Sequence, residues 1–132
     1  MKAYLPLLYT IIYLALFVFP ACTQSKTEHT TLEPKEFNEQ LQSQQGVLLD
    51  VRTPEEFNEG HLADAQNIDF KNTSFEASMG QLDKNKTYFV YCKAGIRSEK
   101  AVDLMQKLGF KQVYHMQGGI DAWKKEGLPL QN

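Results

Sequence analysis

The stretch "YFVYCKAGIRSEKAVDLMQKLGF", residues 88–110 of the 132-residue chain, decides the fold. A short apolar run ends at Cys92, a loop containing Gly95 follows, and apolar residues then recur at helical spacing up to Gly109. This order predicts a buried strand that passes directly into a helix. It also raises the question of whether Cys92 is apolar filler, the usual role of a buried cysteine, or a reactive group.

Strand-like and helix-like segments alternate through the rest of the chain. Strands are predicted for "VLLDV" (47–51), "AQNIDF" (65–70), "TYFVY" (87–91) and "QVYHM" (112–116). Helices are predicted from Pro34, from Pro54 after a Thr53 cap, within 73–82, after the cysteine loop and within 118–127. Gly46 is expected to take a positive φ after the first helix. The alternation predicts an α/β domain of three layers, α/β/α, with a central and mainly parallel sheet.

Composition excludes several classes of function. The chain is 42% hydrophobic and 23% charged, as globular proteins are, and its formal net charge is −2 without a basic stripe, so nucleic-acid binding is not expected. The three histidines, His29, His61 and His115, are far apart, and the two cysteines do not form a CxxC pair. No metal site and no cofactor are therefore predicted.

The N-terminal segment is different in kind. Residues 1–21 hold one charge, Lys2, followed by an uncharged apolar block, and the polar residues after them complete the order of a secretory signal peptide. Ala21 before Cys22 resembles the lipobox of bacterial lipoproteins, which implies that Cys22 is lipidated and anchors the chain to a membrane. An uncleaved membrane anchor and ordinary secretion remain open. All three alternatives predict that the rest of the chain leaves the cytoplasm, and the lipoprotein interpretation places it at the cell envelope or periplasm.

The exported part is expected to begin with a tether. Residues 22–31 lack apolar side chains apart from Cys22 itself, and we interpret them as flexible. The folded domain is then predicted to span 32–130. With Cys22 lipidated, this domain holds a single cysteine, and a lone thiol in an oxidising compartment is a hazard unless it is used.

The position of Cys92 favours a reactive role over a packing role. Ligands of parallel α/β sheets bind beyond the carboxyl ends of the strands, and Cys92 is predicted at such an end. The loop Lys93–Ile96 has to curl so that its N–H groups face inward, which Gly95 permits. Together with the N-terminus of the next helix, these groups form an anion cradle that favours the reactive thiolate. Lys93 and Arg97 add positive charge at its rim.

Three segments resemble the rhodanese-type sulfurtransferases. "CKAGIRS", residues 92–98, is similar to their active-site loop, of the form Cys-x-x-Gly-x-Arg. Residues 48–68 and 118–130 resemble the segments that precede and follow this loop in the family, in the family's order. The resemblance covers nearly all of 32–130. It departs at Ala65, near which the family usually has a glycine.

The resemblance implies a double displacement at Cys92. The cysteine would take the outer sulfur of a small anionic donor such as thiosulfate, hold it as a persulfide, and pass it to cyanide or to a thiol, for example that of a thioredoxin-like protein. The loop expected to bind the donor comprises Lys93, Ala94, Gly95, Ile96, Arg97 and Ser98.

Individual roles follow from the same resemblance. Arg97 would orient the anion or brace the loop. Arg52 would lie near the pocket and Asp50 would order the neighbouring loops. Relatives that act on thiosulfate often carry a cation two residues after the cysteine, where this chain has Ala94. That difference puts a preference for thiosulfate in question.

Two other functions compete with sulfur transfer. Phosphatases of related fold use Cys-x5-Arg, whereas four residues separate Cys92 from Arg97, and the shorter loop suits a sulfur atom better than a phosphoryl group. A non-catalytic binding module of the same fold is the second alternative, although such modules commonly lack the cysteine. His61 is interpreted as a turn anchor and His115 as a structural strand residue.

Overall fold

The computed structural model of the protein describes residues 29–131. The predicted signal peptide and Cys22 lie outside this range. The elements, in chain order, are β1 (Thr30–Leu32), α1 (Pro34–Ser43), β2 (Val47–Asp50), α2 (Pro54–Asn58), β3 (Gln66–Asn67), α3 (Phe75–Gly80), β4 (Thr87–Tyr91), α4 (Ile96–Lys107), β5 (Gln112–Met116) and α5 (Gly119–Lys125). None of these helices is both long and apolar enough to cross a membrane.

The strands of this part of the chain form one parallel sheet in the order β1-β5-β4-β2-β3. Strand β4 is central and pairs with β2 on one side and β5 on the other. Helices connect successive strands, as parallel pairing requires. The predicted α/β class with a parallel sheet is confirmed, and the carboxyl ends of the strands meet at one edge.

Both faces of the sheet are buried. Side chains of β4 alternate between them: Tyr88 and Val90 face the core under α3 and α4, whereas Phe89 and Tyr91 face the core under α1 and α5. Cys92 continues this alternation on the first face. Burial on both sides explains why β2 and β4 are almost continuous apolar runs in the sequence.

Helix α2 begins where the sequence predicts. Thr53 forms a capping box with Glu56: the Glu56 amide donates to the Thr53 hydroxyl at 3.3 Å, and the Thr53 amide donates to a Glu56 carboxylate oxygen at 3.0 Å. Pro54 occupies the first turn, where its missing N–H has no cost. The box fixes Glu56 at the end of the molecule that carries the cysteine loop.

The domain begins earlier than predicted. The expected tether extends to residue 31, but Thr30 and Thr31 lie in β1 and pair with Tyr114 and His115 of β5. An edge strand is held by backbone hydrogen bonds on one side and needs no apolar run, so polar β-branched threonines suffice. Strand β3 is also shorter than predicted, since only Gln66–Asn67 pair.

The expected positive φ at Gly46 is wrong. Helix α1 ends at Ser43, followed by an extended Gln44, and Gly46 is absent from the positive-φ glycines of the described residues. A Cβ on Gly46 would lie 2.6 Å from the Phe89 ring. The glycine is required by close packing against β4, and no local turn signal could reveal that contact.

Candidate active site

Cys92 lies immediately after β4, at the carboxyl edge of the sheet. Its Sγ accepts a hydrogen bond from the Gly95 amide at 3.1 Å and from the Ser98 hydroxyl at 3.3 Å. The residue is only 1% exposed, so the sulfur lies at the floor of its loop and not at the rim. A reacting partner therefore has to reach the sulfur through the opening of the loop.

The loop backbone provides further donors. Gly95 has φ of +100° and is the N-cap of α4, the conformation that only a glycine adopts without strain. Among the described residues, the amides of Ala94, Ile96 and Arg97 have no backbone carbonyl partner. Unpaired amides at a helix N-terminus attract negative charge, so the curl predicted from the sequence produces an anion-binding environment.

Helix α5 holds the other side of the loop. The amides of Ile120 and Asp121 donate to the carbonyls of Cys92 and Lys93, at 2.9 and 3.0 Å. Gly119 makes this approach possible, since a Cβ there would lie 2.5 Å from both carbonyl oxygens, and its φ is +61°. Sequence reasoning did not assign a role to Gly119. The Gly118–Gly119 pair opening a helix after a strand is the signal that could have indicated one.

Arg97 braces the loop through an ion pair with Glu56. Its guanidinium donates two hydrogen bonds to the Glu56 carboxylate, at 2.6 and 2.8 Å. These bonds are the main reason why the pKa of Glu56 is lowered to about 2 and that of Arg97 is raised. Of the two predicted roles of Arg97, the geometry supports bracing. Glu56 was interpreted from the sequence as a cap only, and its second contact was missed.

Asp50 and Arg52 form a buried pair. The Arg52 guanidinium donates to both Asp50 carboxylate oxygens at 2.6–3.0 Å and to the Gly60 carbonyl at 2.8 Å. Burial disfavours the charge on Arg52, but the hydrogen bonds and charge of Asp50 outweigh it and raise its pKa. The pair ties β2 to the turn after α2. Arg52 is thus engaged with Asp50 and Gly60, and its charge is already neutralised.

The two histidines predicted to be structural have different surroundings. His61 Nδ1 lies 3.1 Å from the Phe57 carbonyl and its ring stacks on Phe57, as expected of a turn anchor. His115 is 4% exposed, and its Nε2 lies 2.9 Å from Ser98 Oγ and 3.1 Å from the Gly95 carbonyl. His115 therefore contacts the cysteine loop, which its place in a strand did not reveal.

The rim of the loop has little charge. Lys93, Ala94 and Ile96 are exposed, Ile96 to 66%. A cavity of about 240 Å³ is lined by Ala94 and Ile96 of this rim and also by Thr31 and Glu99. A larger cavity of about 540 Å³ lies at the amino ends of β2 and β4, away from the carboxyl ends at which parallel sheets bind ligands. Residues 29–131 contain no cluster of potential metal ligands.

Comparison with known proteins gives a family match over most of the chain. The profile described as "Rhodanese-like domain" matches residues 33–126. The chain is 36% identical over 101 residues to the probable adenylyltransferase/sulfurtransferase MoeZ of Mycobacterium tuberculosis, covering 76% of this chain and 26% of MoeZ. It is 37% identical over 103 residues to the tRNA uridine(34) hydroxylase of Pelagibacter ubique, covering 74% and 34%. The chain thus spans about a third or less of these relatives' length.

Two solved structures resemble the whole domain. A rhodanese-related protein from Thermoplasma volcanium superposes with a TM-score of 0.69 and 30% identity, covering 78% of this chain and 98% of that one. The polysulfide-sulfur transferase homodimer from Wolinella succinogenes superposes with a TM-score of 0.66 and 30% identity, covering 80% of each chain. Both similarities span the domain that carries the cysteine loop.

Proposed function

The chain belongs to the rhodanese-like domain family, and on that basis we propose that it is a sulfurtransferase in which Cys92 carries the sulfur as a persulfide. The observation that carries the proposal is the environment of one sulfur atom. Cys92 Sγ accepts hydrogen bonds from Gly95 and Ser98 at the N-terminus of α4, and the neighbouring amides have no carbonyl partner within residues 29–131. Donors and a helix N-terminus stabilise a thiolate and, equally, a charged persulfide.

The proposed reaction has two balanced steps. The Cys92 thiolate attacks the outer sulfur of a donor such as thiosulfate; a new S–S bond forms, and the bond to the leaving group breaks with its electron pair, releasing sulfite. An acceptor thiolate or cyanide then attacks the outer sulfur of the persulfide. The Cys92–sulfur bond breaks, the thiolate is restored, and the acceptor leaves as a persulfide or as thiocyanate.

The charges at the site bear on the donor. Arg97 is paired with Glu56 and Arg52 with Asp50, so neither guanidinium offers an uncompensated charge. Ala94 stands where thiosulfate-using relatives often have a cation, which leaves Lys93 as the cation of the loop rim. This arrangement favours donors of lower charge than the thiosulfate dianion, such as a protein persulfide, with a thioredoxin-like protein as one candidate acceptor.

The main test of the carrier role is intact-mass spectrometry of the full chain after incubation with thiosulfate and, separately, with polysulfide. We expect a gain of one sulfur atom that maps to Cys92, is removed by added thiol, and is lost in Cys92→Ser. If neither donor loads Cys92, the carrier role is contradicted.

Alkylation separates the competing functions. Because Cys92 is 1% exposed, iodoacetamide should react much faster than a bulky maleimide. If neither reagent modifies Cys92 in the folded protein, the cysteine is inaccessible in the core, and the non-catalytic binding module becomes the better interpretation. Hydrolysis of a phosphate ester lost in Cys92→Ser would instead favour the phosphatase alternative.

Location is a further part of the proposal. Residues 1–21 and Cys22 support export, cleavage and lipidation, which would place the domain at the cell envelope on a short tether. The chain should incorporate labelled palmitate when cells produce it, and Cys22→Ala should abolish this incorporation into the protein. Incorporation that persists in Cys22→Ala would exclude this anchor.

A further inference from the structure

One carbonyl in the cysteine loop has more donors around it than it needs. The Gly95 oxygen lies 3.0 Å from the Glu99 amide, 3.1 Å from His115 Nε2 and 3.0 Å from the Ser98 hydroxyl. A carbonyl oxygen accepts about two hydrogen bonds through its lone pairs. Of the three donors, the Ser98 hydroxyl is the one that also reaches the sulfur of Cys92, at 3.3 Å.

The same carbonyl assigns the proton on His115. A hydrogen bond between Nε2 and this carbonyl, which are 3.1 Å apart, requires the proton on Nε2, and we assign that tautomer to His115. Ser98 Oγ, 2.9 Å from Nε2, can accept part of the same N–H. The hydroxyl proton of Ser98 is then left for the sulfur, because the Gly95 carbonyl is already supplied by Glu99 and His115.

We propose that His115 is a positioning residue for the sulfur-transfer reaction: by donating Nε2–H to the Gly95 carbonyl and to Ser98 Oγ, it directs the Ser98 hydroxyl onto Cys92 Sγ. The inference rests on the proposed function for its purpose, but its geometry is independent of the sulfur donor. Through Ser98, the buried His115 then helps to stabilise the thiolate and the persulfide.

The surroundings of His115 suit a neutral donor. Burial lowers its pKa, the His29 ring lies at 6.2 Å in edge-to-face geometry, and the charges of Glu99 and Asp103 oppose the shift. Since Nε2 carries a proton in the assigned neutral tautomer and also in the charged imidazole, the arrangement does not depend on titration. An amide side chain that donates but cannot titrate should therefore replace it.

The test is the pH dependence of Cys92 alkylation by iodoacetamide in the full chain, followed on the Cys92 peptide by mass spectrometry so that Cys22 does not interfere. His115→Leu and Ser98→Ala should each raise the midpoint of the profile by about one pH unit, a tenfold loss of thiolate at a fixed lower pH. His115→Gln should shift the midpoint much less than His115→Leu, because the glutamine amide can still donate a hydrogen bond. Tyr114→Phe, a hydroxyl loss in the same strand, should leave the midpoint unchanged.

The double variant distinguishes a relay from a structural effect. If His115 acts through Ser98, Ser98→Ala combined with His115→Leu should shift the midpoint no further than Ser98→Ala alone. Additive shifts, or an unchanged midpoint in His115→Leu, would overturn the proposal. Should His115→Leu fail to fold, imidazole nitrogen NMR of the unaltered protein decides, because a neutral His115 with its proton on Nδ1 would be incompatible with it.

Failure of the proposed function can be recognised separately. If Cys92 never gains a sulfur atom from either donor but the alkylation midpoints shift as stated, sulfur transfer is wrong and the His115–Ser98–Cys92 arrangement stands. If Cys92 gains sulfur and the alkylation midpoints do not move, sulfur transfer stands and the proposed role of His115 is wrong.

Discussion

At the scale of single residues, the cationic side chains of the site are mostly engaged elsewhere. Arg97 and Arg52, the two arginines that sequence reasoning placed at or near the pocket, both form ion pairs with carboxylates, whereas Lys93 remains exposed. The sequence identified these residues because their spacing from Cys92 and from β2 is local information. It did not identify their partners, which lie up to 41 positions away, as Glu56 does from Arg97.

The missing cation gives a prediction for Ala94. Ala94→Lys adds a charge to the exposed rim and should raise kcat/KM for thiosulfate about threefold, as expected for a solvent-exposed charge interaction of about 0.6 kcal/mol. The measurement is steady-state sulfur transfer to cyanide. Ala94→Gln is the matched control, since it adds similar length without charge. An equal gain in Ala94→Gln would show that charge is not the cause.

At the scale of elements, the central strands were predicted best. Strands β4 and β5 match the predicted segments residue for residue, because burial on both faces makes β4 a run of apolar and aromatic residues and places Val113 and Met116 of β5 in the core. The edge strands β1 and β3 were missed or overextended, since an edge needs only backbone pairing on one side. Element boundaries were therefore clear in the sequence where the core is dense.

The docking of α5 on the cysteine loop gives a second prediction. Gly119→Ala introduces a Cβ 2.5 Å from the Cys92 and Lys93 carbonyls at a positive φ, so it should lower the free energy of unfolding by about 2 kcal/mol and reduce sulfur transfer strongly. Urea unfolding and the transfer assay measure the two effects. Gly80→Ala, in helix α3 and with nothing within 4 Å of its Cβ, should not destabilise and should raise the free energy of unfolding by up to about 1 kcal/mol. Equal effects of both substitutions would contradict the docking geometry.

At the scale of the whole molecule, the Arg97–Glu56 pair couples α2 to the cysteine loop and makes stability depend on pH. The pKa of Glu56 is lowered from 4.5 to about 2 in the folded protein, chiefly by hydrogen bonds from Arg97. A lowered folded-state pKa means that the unfolded chain takes up the proton first as the pH falls. The contribution of the pair is therefore full above about pH 5 and is lost between about pH 4.5 and 2.

Glu56→Gln tests this coupling without removing the capping box, since glutamine at the same position can still accept from the Thr53 amide. At pH 7 the variant should be less stable than the unaltered protein by about 1–2 kcal/mol, and the difference should disappear towards pH 2. Denaturant unfolding across this pH range is the measurement. Glu55→Gln is the control, and a difference that stays constant down to pH 2 would exclude the ion pair as its source.

The sequence by itself determined the α/β class, the parallel sheet, the family and the place of Cys92 after a strand and before a helix. These properties follow from apolar periodicity, helix caps and short motifs, all of which depend on residues close together in the sequence. Only the tertiary structure decided that Arg97 pairs with Glu56, that Gly119 admits α5 to the loop, and that His115 meets Ser98 beneath the sulfur. These contacts join segments distant in the chain, and their geometry depends on how the helices and strands pack.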